Sequence, residues 1–442
     1  MTTPISDLPT LNVAMLGCGT VGSQVARMIT QQGEDLTART GAHLNLVAIA
    51  VNDATKPRPG LDQSLFTDDA AALVAREDLD IVIEVIGGVE NTRELVSTAL
   101  RKGDSVVTAN KALLAAHGGE LTEIAHQTGA DLYYEAAVAG AIPILRPLRE
   151  SLVGDEITLV MGIVNGTTNY ILDQMTTTGA DFGDALAQAQ ALGYAEADPT
   201  ADIEGHDAAA KAAILASLAF HTRVSGDQVY CEGISHLTAA DIEAVGRLGF
   251  VLKLLAVAQL TENDQVSVRV HPVILPHSHP LASVGDAYNA IFVESREAGR
   301  LMFMGPGAGG APTASAVMGD LVTVARNRKR GVAGPSPSDY TARTVAPMGD
   351  TVCPYYLRFE VQDKPGVLAQ AAGVFAHHGV SLQTVSQIAA GTGADGEEVA
   401  AATLGIMTHE TSERIIQDCV AELEAEPFLR GKVRLLRVEG MQ

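Results

Sequence analysis

A chain of 442 residues exceeds what one hydrophobic core ordinarily organises, so two or three domains are expected. With 47% apolar and 19% charged residues it has the balance of a packed protein, not a disordered one. A formal charge of −23 leaves no excess of Lys and Arg to neutralise phosphates, which argues against nucleic-acid binding.

The first ten residues, MTTPISDLPT, lack a basic patch followed by an apolar run, so no signal peptide is expected. No stretch is long and uncharged enough to span a bilayer. Cys18, Cys231, Cys353 and Cys419 are scattered and imply no disulfide framework. The chain therefore reads as cytoplasmic, and the glycosylation sequon Asn165-Gly166-Thr167 carries no weight there.

Residues 12–16 form a short apolar run, predicted as a strand, and Gly17-Cys18-Gly19-Thr20-Val21-Gly22 follows directly. Helical spacing takes over at 21–29, with a loop around 33–41. Further strands are predicted at 44–51, 80–86, 105–108 and 132–135, with a helix around 93–101. Strands alternating with helices imply a doubly wound parallel sheet over residues 1–146. The G-x-G-x-x-G spacing between strand and helix is the Rossmann dinucleotide fingerprint. Gly17 makes the tight turn, Gly19 admits pyrophosphate to the backbone, and Gly22 lets helix meet strand. The helix N-terminus then faces the phosphates through Thr20 and Val21. Asp53, after the second strand, suits a ribose hydroxyl and so NAD. Lys56 and Arg58 would instead suit the extra phosphate of NADP, and the sequence does not decide.

From residue 147 to 330 the pattern changes to α+β. A strand at 157–164 precedes Ala-rich helices predicted at 182–192, 208–220 and 241–259. Strands follow at 266–273 and 290–294, then a glycine-rich turn at 305–310. A helix near 313–327 is expected to pack back on the first domain. Its basic end, Arg326 to Arg330, suits the negative end of a helix dipole. His271, His277 and His279 raise a metal reading, but two of them precede prolines, which impose extended backbone unsuited to a ligand cage. Residues 331–352 are rich in Gly, Pro and Ser and read as a linker. Residues 353–442 then give a βαββαβ ferredoxin-like pattern: strand 355–361, helix 367–378, strand 382–387, a glycine-rich turn at 391–396, strand 399–407, helix 412–423 and strand 433–438.

The densest chemistry lies in AQALGYAEADPTADIEGHDAAAK, residues 189–211. Asp207 and Lys211, spaced i,i+4 at the start of an apolar helix, share one face. A carboxylate beside a lysine fixes the ammonium, and partial burial would bring it toward acid–base use. From spacing alone an ordinary surface ion pair is the simpler reading.

The pattern A-x3-G-Y-A-x2-D-P-x2-D-I-x-G-x-D-x3-K, met at every fixed position, resembles the signature segment of homoserine dehydrogenases. The resemblance extends through Val85-Ile86-Gly87-Gly88, Thr108-Ala109-Asn110-Lys111, Glu135–Pro143, GIVNGTTNY at 162–170, His279-Pro280-Leu281-Ala282 and GPGAGGAPT at 305–313, and covers nearly all of 11–330. The resemblance implies that residues 147–330 are a substrate-binding and dimerisation domain. It implies reversible reduction of L-aspartate 4-semialdehyde to L-homoserine with NADP or NAD. Lys211 would be the proton donor and acceptor, and Lys111 would lie near the nicotinamide and the reacting oxygen. Glu196 and Asp207 would hold the substrate ammonium, with Asp202 and Tyr194 as weaker candidates, and Gly193 and Gly309 would lie close to the cofactor. Glu135, Val138, Gly140 and Ile142 resemble the family's site for a sodium-like monovalent cation, one carboxylate plus backbone carbonyls, structural in role.

Residues 359–368 (FEVQDKPGVL) look like the opening of an ACT domain, with Pro365 and Gly366 shaping the turn where such modules take an amino acid. The implied effector is L-threonine; a module that only assembles subunits is the alternative. A homodimer or homotetramer is expected. Two rival functions stand: a phosphorylating semialdehyde dehydrogenase, which needs a catalytic cysteine that none of the four is placed to be, and a non-catalytic sensor of dinucleotide and amino acid, against which the intact Asp207 and Lys211 count.

Overall fold

The computed structural model describes residues 8–335, 340–389 and 401–441. The extreme N-terminus, part of the expected linker, the glycine-rich turn at 391–396 and the first two residues of the strand expected at 399–407 lie outside them.

Strands β1 (Thr10–Leu16), β2 (His43–Ala50), β3 (Phe66–Thr67), β4 (Ile81–Glu84), β5 (Ser105–Thr108) and β6 (Leu132–Tyr133) form one parallel sheet in the order β3-β2-β1-β4-β5-β6. This is the doubly wound dinucleotide-binding order. The sheet is buried on both faces, which explains why its strands read as continuous apolar runs. Val13 and Met15 of β1 join one core, and Ala14 and Leu16 join the other. Helices α1 (Thr20–Gln31) and α2 (Gly33–Thr40) cover the first face. Helices α3 (Ala70–Val74), α4 (Glu90–Lys102) and α5 (Lys111–Thr128) cover the second.

The stretch expected as a loop at 33–41 is therefore largely helix. Glu34 and Asp35 sit in its first turn and Arg39 in its last, which suits the dipole at both ends, and Gly41 stops it at φ 71°.

The middle of the chain supplies β7 (Ile157–Ile163), α6 (Gly166–Thr178), α7 (Phe182–Ala191), α8 (Thr200–Ile203), α9 (His206–Ala219), β8 (Tyr230–Cys231), α10 (Ala239–Arg247), β9 (Phe250–Leu260), β10 (Val266–Pro276), β11 (Tyr288–Ser295) and β12 (Gly299–Pro306). The helix expected over 241–259 is a correction. Helix α10 stops at Arg247, Gly249 takes φ 81°, and the apolar remainder becomes β9, paired to β7 and β10. A run buried on both sides has no polar stripe to betray its period.

Helix α11 (Gly310–Arg330) returns to the first sheet and packs Val317, Leu321 and Val324 into the core that holds α1. Its basic end has a structural use. Arg328 donates to the Gly103 carbonyl at 2.7 Å and pairs with Asp80, and Arg326 donates to the Arg39 carbonyl at 2.9 Å.

After β13 (Val352–Cys353) come β14 (Tyr355–Gln362), α12 (Val367–His377), β15 (Leu382–Ala389), β16 (Ala401–Thr408), β17 (Thr411–Ser412), α13 (Glu413–Ala425) and β18 (Leu429–Val438). The order β18-β14-β16-β15 is ferredoxin-like. This sheet does not stand apart. Strand β18 pairs with β10, Val273 opposite Arg437 and Ile274 opposite Val438, so the middle and C-terminal sheets run on as one.

Candidate active site

The turn between β1 and α1 is set by its glycines. Gly17 takes φ 103°, and a Cβ on Gly22 would stand 2.4 Å from the Gly17 carbonyl oxygen, so neither position admits a side chain without displacement. Around Gly19 there is open space on the Cβ side. Helix α1 has no side-chain cap and no acidic residue in its first turn, so its N-terminal amides are left for an anion. The three glycines, the uncapped helix and the room at Gly19 fit a dinucleotide pyrophosphate. A cavity of about 470 Å³ opens beside this turn, lined in part by Val21, Gly88, Lys111, Lys211, Gly307 and Ala308. Opposite, Gly310 approaches Thr20 so closely that a Cβ there would meet it at 2.9 Å.

Two helices bring the charged groups to this cavity. Gly205, at φ 82°, starts α9, which puts Asp207 in its first turn and Lys211 one turn later. Because α9 is alanine-rich and enclosed, both residues are only 8% exposed, which excludes the surface-pair reading. Lys211 Nζ donates to Asp207 Oδ2 and to the Val164 carbonyl, each at 2.7 Å. From the N-terminus of α5, Lys111 forms an ion pair with the other Asp207 oxygen. Burial acts to raise the proton affinity of Asp207, but the ammonium groups of Lys211 and Lys111 outweigh it and hold the carboxyl well below the usual carboxylate range.

Sequence reasoning missed two neighbours. Asn165, read within a sequon and within the resembling segment GIVNGTTNY but given no role, lies in the turn from β7 to α6; its amide nitrogen donates to Asp202 at 2.6 Å and to Asp207 at 2.9 Å. Glu84 is fully buried at the end of β4, where its carboxylate accepts from the Ile86 and Gly87 amides and the Thr108 hydroxyl. Burial pushes it up against those hydrogen bonds. A lone acid ending the apolar run IVIE was the available signal for Glu84; an N-cap residue between strand and helix was the signal for Asn165.

Other expected residues are placed less centrally. Tyr194 is 46% exposed and packs its ring on Tyr170, and its carbonyl accepts from Thr167 Oγ1. Glu196 and Gly193 lie on the same exposed stretch, and the Glu196 carboxylate does not join the Asp207 cluster. Gly309, at φ 116°, precedes α11 beside the cavity-lining Gly307 and Ala308. Asp53 is exposed, its carboxylate taken by Thr55, and Arg58 lies over the Phe66 ring. The three histidines do not converge. His271 is fully buried, His277 is exposed, and His279 accepts from the Leu281 amide and packs on Phe292.

The segment resembling a cation site is a buried turn with Ala139 at φ 56° and Gly140 at φ 58°. The Glu135 carboxylate accepts from the amides of Ile144, Leu145 and Arg146, and Asp320 of α11 accepts from the Glu135 amide and pairs with Arg146. The Glu135 carboxylate accepts two amides on Oε1 and one on Oε2, which leaves a lone pair on Oε2.

Comparison with known proteins bears on this geometry. Family models match three segments: homoserine dehydrogenase NAD binding domain at 17–135, homoserine dehydrogenase at 143–322 and ACT domain at 355–428. The homoserine dehydrogenase of Corynebacterium glutamicum is 54% identical over 433 residues, 97% of this chain and 96% of that protein. The crystal structure of a homoserine dehydrogenase from Thiobacillus denitrificans superposes with a TM-score of 0.91 at 37% identity, over 98% of this chain and 100% of that one. A hyperthermophilic archaeal homoserine dehydrogenase in complex with NADPH matches with a TM-score of 0.60 at 28% identity, over 71% of this chain and 97% of that one. Among the described residues no helix is long and apolar enough to cross a membrane.

Proposed function

The chain belongs to the homoserine dehydrogenase family, NAD(P)-dependent oxidoreductases, and from that premise we propose which of its residues perform the reaction. Lys211 is the proton donor and acceptor for the interconversion of L-aspartate 4-semialdehyde and L-homoserine. The observation that carries this reading is a buried ammonium held at 2.7 Å by Asp207 and by a main-chain carbonyl, on the wall of the cavity beside the dinucleotide turn.

The dinucleotide, when bound, supplies or accepts the hydride. Gly17, Gly19, Thr20, Val21 and Gly22 hold its phosphates, with Gly193 and Gly309 close by. Lys211 gives a proton to the aldehyde oxygen in reduction and takes it from the hydroxyl in oxidation. Lys111, the second ammonium on Asp207, stabilises negative charge building on that oxygen. Asp207 keeps the two cations together and the Lys211 proton aimed. Glu196 and Asp207 meet the substrate ammonium, with Asp202 and Tyr194 as weaker contacts, since carboxylates suit a cationic amino group.

A monovalent cation would be held by Glu135 and by main-chain oxygens at Val138, Gly140 and Ile142. L-Threonine would act at the ACT domain, beside the turn from β14 to α12, where Gly366 takes φ 91°. Assembly as a homodimer or homotetramer in the cytoplasm completes the proposal, as does the division of the chain at residues 146, 330 and 352.

The test is direct. Lys211→Ala should abolish turnover while dinucleotide affinity by titration changes less than twofold, and near-normal activity would refute the assignment. Steady-state rates with homoserine and each oxidised cofactor, with and without threonine, decide cofactor preference and regulation.

A further inference from the structure

Asp207 is held by more than its two lysines. The amide of Asn165 stands between Asp207 on α9 and Asp202 on α8, with one N–H directed to each carboxylate. Its carbonyl oxygen accepts from the Thr168 amide at 2.9 Å and so caps α6. The side chain is 5% exposed, so water offers it no alternative partners. The neighbouring Val164 carbonyl is the main-chain acceptor for Lys211.

We infer that Asn165 is a positioning residue: a neutral two-donor clamp that keeps two carboxylates apart and presents Asp207 Oδ2 to Lys211. The inference rests on Lys211 as the proton carrier. The physical need is electrostatic. Two carboxylates that accept from one amide repel each other, and the two N–H donors between them offset that repulsion. The charged groups facing Asp207 are Lys111 from α5, Lys211 from its own helix and Asp202 from α8. With the amide in place Asp207 accepts from Asn165 and Lys211 on one oxygen and faces Lys111 with the other. Without it Asp207 Oδ2 keeps Lys211 as its one donor, and the carboxylate loses the contact that fixes the angle at which it meets the ammonium.

Helix capping and carboxylate clamping can be separated, because they use different ends of the amide. Asp and Ser both cap a helix well, Ala does not, and Asp supplies no donor. Asn165→Ser should therefore keep a near-wild-type melting temperature, whereas Asn165→Asp keeps the cap but adds a buried carboxylate beside two others and should lower it. Asn165→Asp should lower kcat by roughly tenfold to a hundredfold, as expected for a misaligned proton donor. Dinucleotide affinity should stay within twofold, and the acid limb of kcat/KM should move to higher pH. Asn165→Ser, with one donor, should fall between Asn165→Asp and wild type. A well-folded Asn165→Asp with wild-type kcat and pH profile overturns the inference. So does a loss of kcat that only follows the loss of melting temperature across the Asp, Ser and Ala variants. Lys211→Ala separates the two readings: if it is dead while Asn165→Asp is normal, only the clamp fails, and if it is active the assignment of the proton carrier fails.

Discussion

Asp207, itself buried, balances two ammonium groups, and losing that charge should cost more than losing one contact. Asp207→Asn keeps the shape but leaves Lys111 and Lys211 facing each other across a neutral amide. Removing one partner from a buried ion pair costs about 3–5 kcal/mol, so a clear fall in melting temperature is expected, together with a loss of kcat. Denaturant unfolding checks the first and steady-state rates the second; a variant as stable as the parent would show that the cations have other partners. The sequence placed Asp207 and Lys211 on one helical face but could not tell buried from exposed, because the surrounding alanines are indifferent to both. Lys111 lies 96 positions away and reaches Asp207 only through the packing of α5 on α9, which no local pattern encodes.

Elements show the same division between local and long-range information. The strand, glycine turn and helix at the start of the chain were legible because each glycine answers a local steric demand. Gly22→Ala should confirm this: a Cβ 2.4 Å from the Gly17 carbonyl must push α1 off β1, so dinucleotide affinity should fall at least tenfold while the rest of the fold survives. Titration with oxidised cofactor and a far-ultraviolet spectrum test the two halves. Strand β9 was illegible, since a run flanked by β7 and β10 and buried on both faces looks like a buried helix until Gly249 is recognised as the break. Lys253, in the middle of that strand, donates to the Val284 carbonyl and Asn169, and burial lowers it to about 8. Between about 8 and its ordinary 10.5 the unfolded chain binds this proton and the folded chain does not, so the residue makes stability rise with pH there. Lys253→Met should remove that rise, up to about 1.4 kcal/mol per pH unit, seen as a variant that gains on wild type at pH 7 relative to pH 10. A stability difference independent of pH would mean that the ammonium is not desolvated.

At the scale of the molecule, the linker expected between the middle and C-terminal units suggested separate bodies, yet their sheets are continuous at β10 and β18. The pairing spans 164 positions between Val273 and Arg437, and nothing in either strand's composition marks an exposed edge waiting for it. Charges reinforce the seam. Arg437, 2% exposed, makes two hydrogen bonds to Glu413 at the start of α13 and a third to Glu232 beside β8, at 2.7 Å. Arg269 of β10 pairs with Glu439 just beyond β18. The Glu232 segment in turn borders α8 and the turn into α9, since the Ile234 amide donates to the Ile203 carbonyl and Cys231 Sγ donates to the Glu204 carbonyl, three residues before Asp207. Burial acts to raise Glu413, but the Arg437 guanidinium outweighs it and holds the carboxyl below its ordinary 4.5. A depressed folded-state value means that this contribution is complete above the mid-fours and is lost as pH falls through the lower, folded-state value. Arg437→Leu strands two carboxylates at the seam, so it should cost about 3 kcal/mol at neutral pH and split a single thermal transition into two as the C-terminal sheet melts first. The penalty should shrink on acidification, because protonated Glu413 no longer misses its partner. A single transition with a pH-independent penalty would place the strength of the seam in the β10–β18 pairing itself.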